Sequence, residues 1–242
     1  MNQTPPARIV LKISGEFLAL ADPATPQKVA ALAADIMALA PQYQFALVIG
    51  GGNIFRGSQQ GKKLGLSTAA AHYAGMVATM INGIILKDLF EQSGCQTSLI
   101  SGLTCPSLAE TGGYRALTTL KEESGTKTPI FVCGIGSPYF TTDTAAVVQA
   151  LQLGAEAVWK LTNVDGIYSA DPRVHPSAQK ISHISHSDYL AQRLGIIDEA
   201  AVALAREQKL PILVTQHEAD RPLRKIVEKK QSVSLISTHN GQ

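Results

Sequence analysis

Short apolar, β-branched runs alternate along this chain with segments of helical period, and no other feature narrows its fold as far. Residues 8–14, 44–49, 96–100, 129–133, 157–160, 211–215 and 232–237 read as strands. After the first of them, Thr25-Pro26 reads as an N-cap followed by proline at the first helical position, with Val29, Leu32, Ile36 and Leu39 at helical spacing behind it. Further helices are expected over 69–91, 114–121, 142–153, 187–193, 198–208 and 221–229. Strands joined through helices pair in parallel, because a crossover helix brings the chain back to the same end of the sheet. The expectation is an α/β fold, a three-layer αβα sandwich with a mainly parallel central sheet, spanning residues 1–242 as a single domain. Residues 163–185 read as a loop-rich excursion from it.

Composition sets the outer bounds. Hydrophobic residues make up 45% of the chain and charged residues 17%, enough apolar material for a core and too little charge for disorder. A net charge of +2 gives no electrostatic case for nucleic acid. Cys95, Cys105 and Cys133 form no CxxC pair, which points to reduced thiols. The apolar stretch 75–90 is interrupted by Thr79, Asn82, Lys87 and Asp88 and reads as a buried helix rather than a membrane span. The N-terminus has no signal-peptide pattern. A soluble, cytoplasmic protein with no membrane or nucleic-acid partner is expected. His183 and His186 have no companion ligands, so no metal site is assigned to them.

In open α/β sheets ligands bind beyond the carboxyl ends of the strands. Four such places are rich in Gly, Ser, Thr or charge: residues 14–16, 50–57, 134–143 and 161–171. Lys12, near the end of the first strand, can aim an ammonium at a phosphate while Gly15 admits backbone N–H groups. Gly50, Gly51 and Gly52 leave backbone open to an anion, and Arg56 adds a charge of the right sign. Neither a Walker A loop nor G-x-G-x-x-G is present, since Arg56 and Phe55 stand where glycines are required. Thr141 and Thr142 put hydroxyls at a helix start. Asp143 beside them can reach a metal through water, orient a lysine, or serve as a first-turn carboxylate; spacing alone leaves all three open.

Taken together these segments resemble the bacterial UMP kinase branch of the amino acid kinase family. The resemblance rests on Lys12 to Glu16, Val48 to Gly57, Gly75 to Thr79 with Asn82-Gly83, Ser137 to Ala146, Val164 to Pro172 and Lys209 to Ile212, in the family's order over nearly the whole chain. It implies transfer of the γ-phosphoryl group of ATP, with Mg²⁺, to UMP, giving ADP and UDP in pyrimidine nucleotide synthesis. It also implies a homohexamer with GTP and UTP as effectors. Lys12 and Asp143 would be the central catalytic pair, with Lys160 a third candidate. Lys12, Ile13, Ser14, Gly15 and Gly52 would hold ATP phosphates beside Arg56, and Thr162, Tyr168 and Asp171 would line the adenosine end. Gly51, His72 and the loop of Ile135, Gly136, Ser137, Pro138, Tyr139, Phe140, Thr141 and Thr142 would hold UMP. Three positions depart from the family's pattern: His72 where Asp is usual, Ile135-Gly-Ser-Pro138 for Thr-Gly-Asn-Pro, and Thr215-Gln216 for Phe-Asn. Two other readings remain: a kinase of this fold with a carboxylate or carbamate acceptor, and a non-catalytic nucleotide-binding regulator.

Overall fold

The computed structural model of the chain describes residues 6–113, 116–118, 127–216, 222–228 and 233–238. Its strands are β1 (Ala7–Ile13), β2 (Tyr43–Ile49), β3 (Thr97–Ser101), β4 (Glu110–Thr111), β5 (Thr128–Val132), β6 (Ala157–Thr162), β7 (Ile167–Tyr168), β8 (Lys180–Ile181), β9 (His183–Ser185), β10 (Ile212–Gln216) and β11 (Ser234–Ser237). Nine of them form one sheet in the order β4-β3-β5-β2-β1-β6-β10-β11-β9, parallel throughout except for β10 with β11. β7 and β8 form a separate antiparallel hairpin.

The helices are α1 (Thr25–Leu39), α2 (Thr68–Gln92), α3 (Thr142–Leu153), α4 (His186–Ala191), α5 (Glu199–Glu207) and α6 (Pro222–Val227). They divide into two layers. α1, α2 and α6 bury Leu32, Ile36, Leu86, Phe90, Leu223 and their neighbours against the side of β1 that carries Ile9, Leu11 and Ile13. α3, α4 and α5 bury Ala146, Ala150, Tyr189 and Val202 against the side that carries Val10. Side chains alternate along a strand, so Lys12 falls on the second side, under α3. The small residues Ala145, Ala146 and Ala150 let α3 lie close to the sheet there.

Several boundaries differ from the sequence reading. Thr25 is not the cap of α1: Ala24 is, its N–H held by Asp22 Oδ1 at 2.9 Å, while the Thr25 hydroxyl donates to Ala19 O. Asp22 closes the turn first, so the helix starts with Thr25 already inside it. β6 runs two residues further than expected, to Thr162, because β10 continues to pair with it through Gln216. α4 ends at Ala191, where Arg193 turns to φ 49. The 163–185 excursion contains the β7–β8 hairpin. Of the helix expected over 114–121, residues 116–118 are helical and the rest lies outside the described residues, as do 221 and 229 at the ends of the last helix and 232 before β11.

By length and composition α2 could cross a membrane. Its buried Thr79 and Asn82, however, are bonded to strand-end loops, which makes it a layer of this fold.

Candidate active site

β1 and β6 are neighbours, and their register sets Lys12 opposite Lys160. Two ammonium groups on one face of adjacent strands repel each other unless an anion stands between them. Asp143, in the first turn of α3, is that anion. Its Oδ1 lies 3.0 Å from Lys12 Nζ and its Oδ2 accepts from Lys160 Nζ at 2.5 Å. All three side chains are nearly buried. Burial by itself would raise the Asp143 carboxyl, but the charges of Lys12 and Lys160 outweigh it and bring it down to about 2. Burial and the neighbouring Lys12 charge push Lys160 down to about 8, against the pull of Asp143. An ammonium has three N–H groups, and this one ion pair leaves Lys12 with donors for a further acceptor. The cluster holds two cations and one anion, and the nearby Asp198 carboxylate also acts on Lys160.

The segment before α5 braces this cluster. Lys160 Nζ also donates to Ile196 O at 2.5 Å. Asp198 caps α5 through Ala201 N–H and accepts from the hydroxyls of Thr144, at 3.0 Å, and Thr141. Thr141 is in turn the N-cap of α3, accepting from the N–H of Asp143 at 3.0 Å. The turn that carries Asp143 is thus fixed by a carboxylate 55 positions later in the chain.

On the other side of β1 two asparagines clasp the glycine loops. Asn82, fully buried on α2, donates to Gly50 O and to Asn53 Oδ1, both at 2.7 Å, and Asn53 donates to Leu18 O at 2.8 Å. The 50–53 loop is thereby tied to the turn after β1. Gly51 is required by contact: a Cβ there would stand 2.9 Å from Gly75 O and from Thr79 N. Arg56 pairs with Glu16, which also accepts from Asn163, and donates to Gly52 O at 3.3 Å.

Two clefts adjoin the cluster. The first, about 450 Å³, lies between the 51–62 segment, α2 and the start of α3, and its lining includes Gly51, Gly52, His72, Phe140, Thr141 and Thr142. The second, about 410 Å³, is lined by Val164 and residues 166–173 and 192–196, with Tyr168 and Asp171 among them. Thr142 precedes Asp143 in sequence, and Ile196 holds Lys160 while lining the second cleft, so the cluster joins both. Of the residues expected to contact ligands, Ile135, Gly136, Ser137, Pro138 and Tyr139 are not among the lining of the first cleft, nor Thr162 among that of the second. Lys12, Ile13, Ser14 and Gly15 line neither; Lys12 sits in the narrow gap with Asp143 and Lys160. Asp171 is held down to about 2 by its hydrogen bonds from Arg173, and the Tyr168 hydroxyl donates to Asp165 at 2.7 Å.

Sequence reasoning missed Asp198, the roles of Asn53 and Asn82, and much of the first cleft's lining. One signal was available. Thr68, Ala71, His72, Gly75, Met76 and Thr79 recur at helical spacing and form a single face of α2. Asp198 gave no comparable signal, since its partners are distant in sequence.

Comparison with known proteins agrees with this architecture. Residues 7–216 match the model of the amino acid kinase family. The chain is similar to the crystal structure of UMP kinase from Ureaplasma parvum, with 32% identity, a TM-score of 0.88 and coverage of 97% of this chain and 100% of that one. It is similar to UMP kinase from Bacillus anthracis, at 28% identity and TM-score 0.84, covering 97% of each chain. Uridylate kinase from Archaeoglobus fulgidus is similar at 25% identity and TM-score 0.70, over 95% of this chain and 99% of that one.

Proposed function

The chain belongs to the amino acid kinase family, and we propose that it transfers the γ-phosphoryl group of ATP to UMP, giving ADP and UDP. The observation that carries this reading is the buried Lys12–Asp143–Lys160 cluster joined to two clefts. ATP lies with its adenosine in the cleft of Tyr168 and Asp171 and its phosphates toward Lys12 to Gly15, Gly52 and Arg56. UMP takes the cleft of Gly51 and His72, under the loop 135–142.

The chemistry asks little else of the protein. The UMP phosphate is itself the nucleophile, and the transferred group passes through a loose transition state with its charge on peripheral oxygens. Catalysis is therefore positioning and charge neutralisation. Lys12 supplies N–H donors and a positive charge. Asp143 holds Lys12 in place, and Lys160 holds Asp143. The positive end of the α3 dipole faces the same region. Arg56 exchanges Glu16 for phosphate oxygens when a nucleotide is bound.

Among the described residues no group of three or more His, Cys, Asp or Glu is placed to hold a metal ion. Mg²⁺ would come with the ATP phosphates, and Asp143 is the carboxylate that would reach it through water. When bound it neutralises phosphate charge.

Assembly into a homohexamer belongs to the same proposal. Tyr73, Val77, Ile81 and Ile84 are exposed along one face of α2, and an apolar stripe of this kind supports a contact between copies. A stable, active monomer in sedimentation would refute it. Activation by GTP and inhibition by UTP, and a cytoplasmic location consistent with three free thiols, complete the reading; turnover unmoved by either nucleotide would remove the effectors. The reaction itself is tested by ATP·Mg²⁺ with each nucleoside monophosphate and with carboxylate and carbamate acceptors. UDP formation at the highest kcat/KM supports it, and preference for any other acceptor contradicts it.

A further inference from the structure

The loop after β5 leaves ordinary backbone repeatedly, with φ 58 at Cys133, 56 at Gly134, 77 at Gly136 and 73 at Tyr139. Gly134 and Gly136 adopt such angles freely, and at Gly136 a Cβ would stand 2.2 Å from Gly102 O. Cys133 and Tyr139 carry side chains, and for them the conformation costs free energy that other contacts must offset. Each of these two is held by a side chain of α2. Cys133 N–H donates to Thr79 Oγ1 at 2.6 Å. Tyr139 N–H donates to His72 Nδ1 at 3.2 Å. His72 and Thr79 lie two turns apart on the helix face that lines the first cleft. The imidazole also rests against the Tyr139 ring, with centroids 5.3 Å apart and planes at 42°.

We propose that His72 is a positioning residue that latches, through Tyr139 N–H, the segment that brings Phe140 into the first cleft, and so sets how tightly the acceptor nucleotide is gripped. The inference rests on the reading that this cleft takes the acceptor. Accepting at Nδ1 fixes the neutral imidazole with its proton on Nε2. His72 then offers the cleft a donor, not the acceptor pair with which a carboxylate would receive both ribose hydroxyls. The latch acts through the Tyr139 amide and not on the ribose, so its contribution to binding is indifferent to the 2′-hydroxyl. The far end of the loop is anchored separately, by Thr141 on Asp198, so loosening 137–140 leaves Asp143 in place. The latch acts on acceptor binding more than on transfer.

The test compares the protein with His72→Ala and with His72→Ala/Tyr139→Gly, measuring kcat, KM for UMP and for dUMP, and hydrogen exchange of the residue-139 amide. In His72→Ala, KM should rise on the order of fivefold for UMP and dUMP alike, the scale of one solvent-accessible hydrogen bond, with kcat much less affected. Adding Tyr139→Gly should restore most of the KM, since glycine takes φ 73 without cost. The Tyr139 amide should exchange faster once His72 is gone. A KM rise confined to UMP would show direct ribose contact and overturn the latch, as would a Tyr139 amide exchanging at the same rate in both proteins. If the unmodified protein forms neither UDP nor dUDP, the UMP reading fails, and amide exchange still decides the latch.

Discussion

Lys12 and Lys160 are register partners on adjacent parallel strands, and Asp143 is the counter-ion of both. The arrangement makes Asp143 a hinge of the electrostatics rather than a helix-end ornament. Asp143→Asn leaves two buried ammonium groups facing each other. In the proposed reaction the carboxylate fixes Lys12 where transition-state charge develops, so its loss should lower kcat by about 10²-fold or more and change the KM for UMP far less. A plain first-turn carboxylate would instead show in the melting temperature while turnover stayed near normal.

Lys160 gives the site a pH signature. Burial and the Lys12 charge bring its ammonium down to about 8. Below that pH it is charged and holds Asp143; above it the cluster loses a positive charge. The nucleotide phosphates are fully ionised there, so they do not obscure the change. kcat/KM, which reports the ligand-free enzyme, should fall as pH rises through about 8. Lys160→Arg keeps its charge throughout, and its residual activity should lack that limb. A wild-type profile flat from about pH 7 to 9.5 would contradict the assignment.

The clasp on the glycine loops predicts a stability effect. Asn82→Ala would strip Gly50 O and Asn53 of buried partners, at a cost of about 2–3 kcal/mol. Chemical denaturation should show it as an earlier midpoint with unchanged slope. A stability within about 0.5 kcal/mol of the parent would mean that the clasp is dispensable.

Much of this was legible in sequence because it is local. The alternation of apolar runs and helical spacing identified the main parallel strands, and the extent of α3 over 142–153 was read without error. Lys12, Asp143 and Lys160 were grouped through the family resemblance, since spacing alone left the role of Asp143 open. What escaped depends on register and tertiary contact. Nothing local says that Lys12 sits opposite Lys160, or that Asp198 closes back on Thr141. His72 was placed among the UMP-binding residues on family pattern; that its nitrogen accepts a backbone N–H from a loop 67 positions away could not be read from sequence. The short strands β4, β7 and β8 carry too few residues for periodicity to register.

The account stands most directly on Lys12. The decisive measurement is the rate of UDP formation from saturating ATP·Mg²⁺ and UMP in the purified protein and in Lys12→Ala, with circular dichroism to verify the fold of both. Removing a preorganised cation from the transferring phosphoryl group should reduce the rate by about 10²–10³-fold while the spectrum is unchanged. A folded Lys12→Ala that turns over UMP at close to the parent rate would contradict the assignment of the Lys12–Asp143–Lys160 cluster as the seat of the reaction.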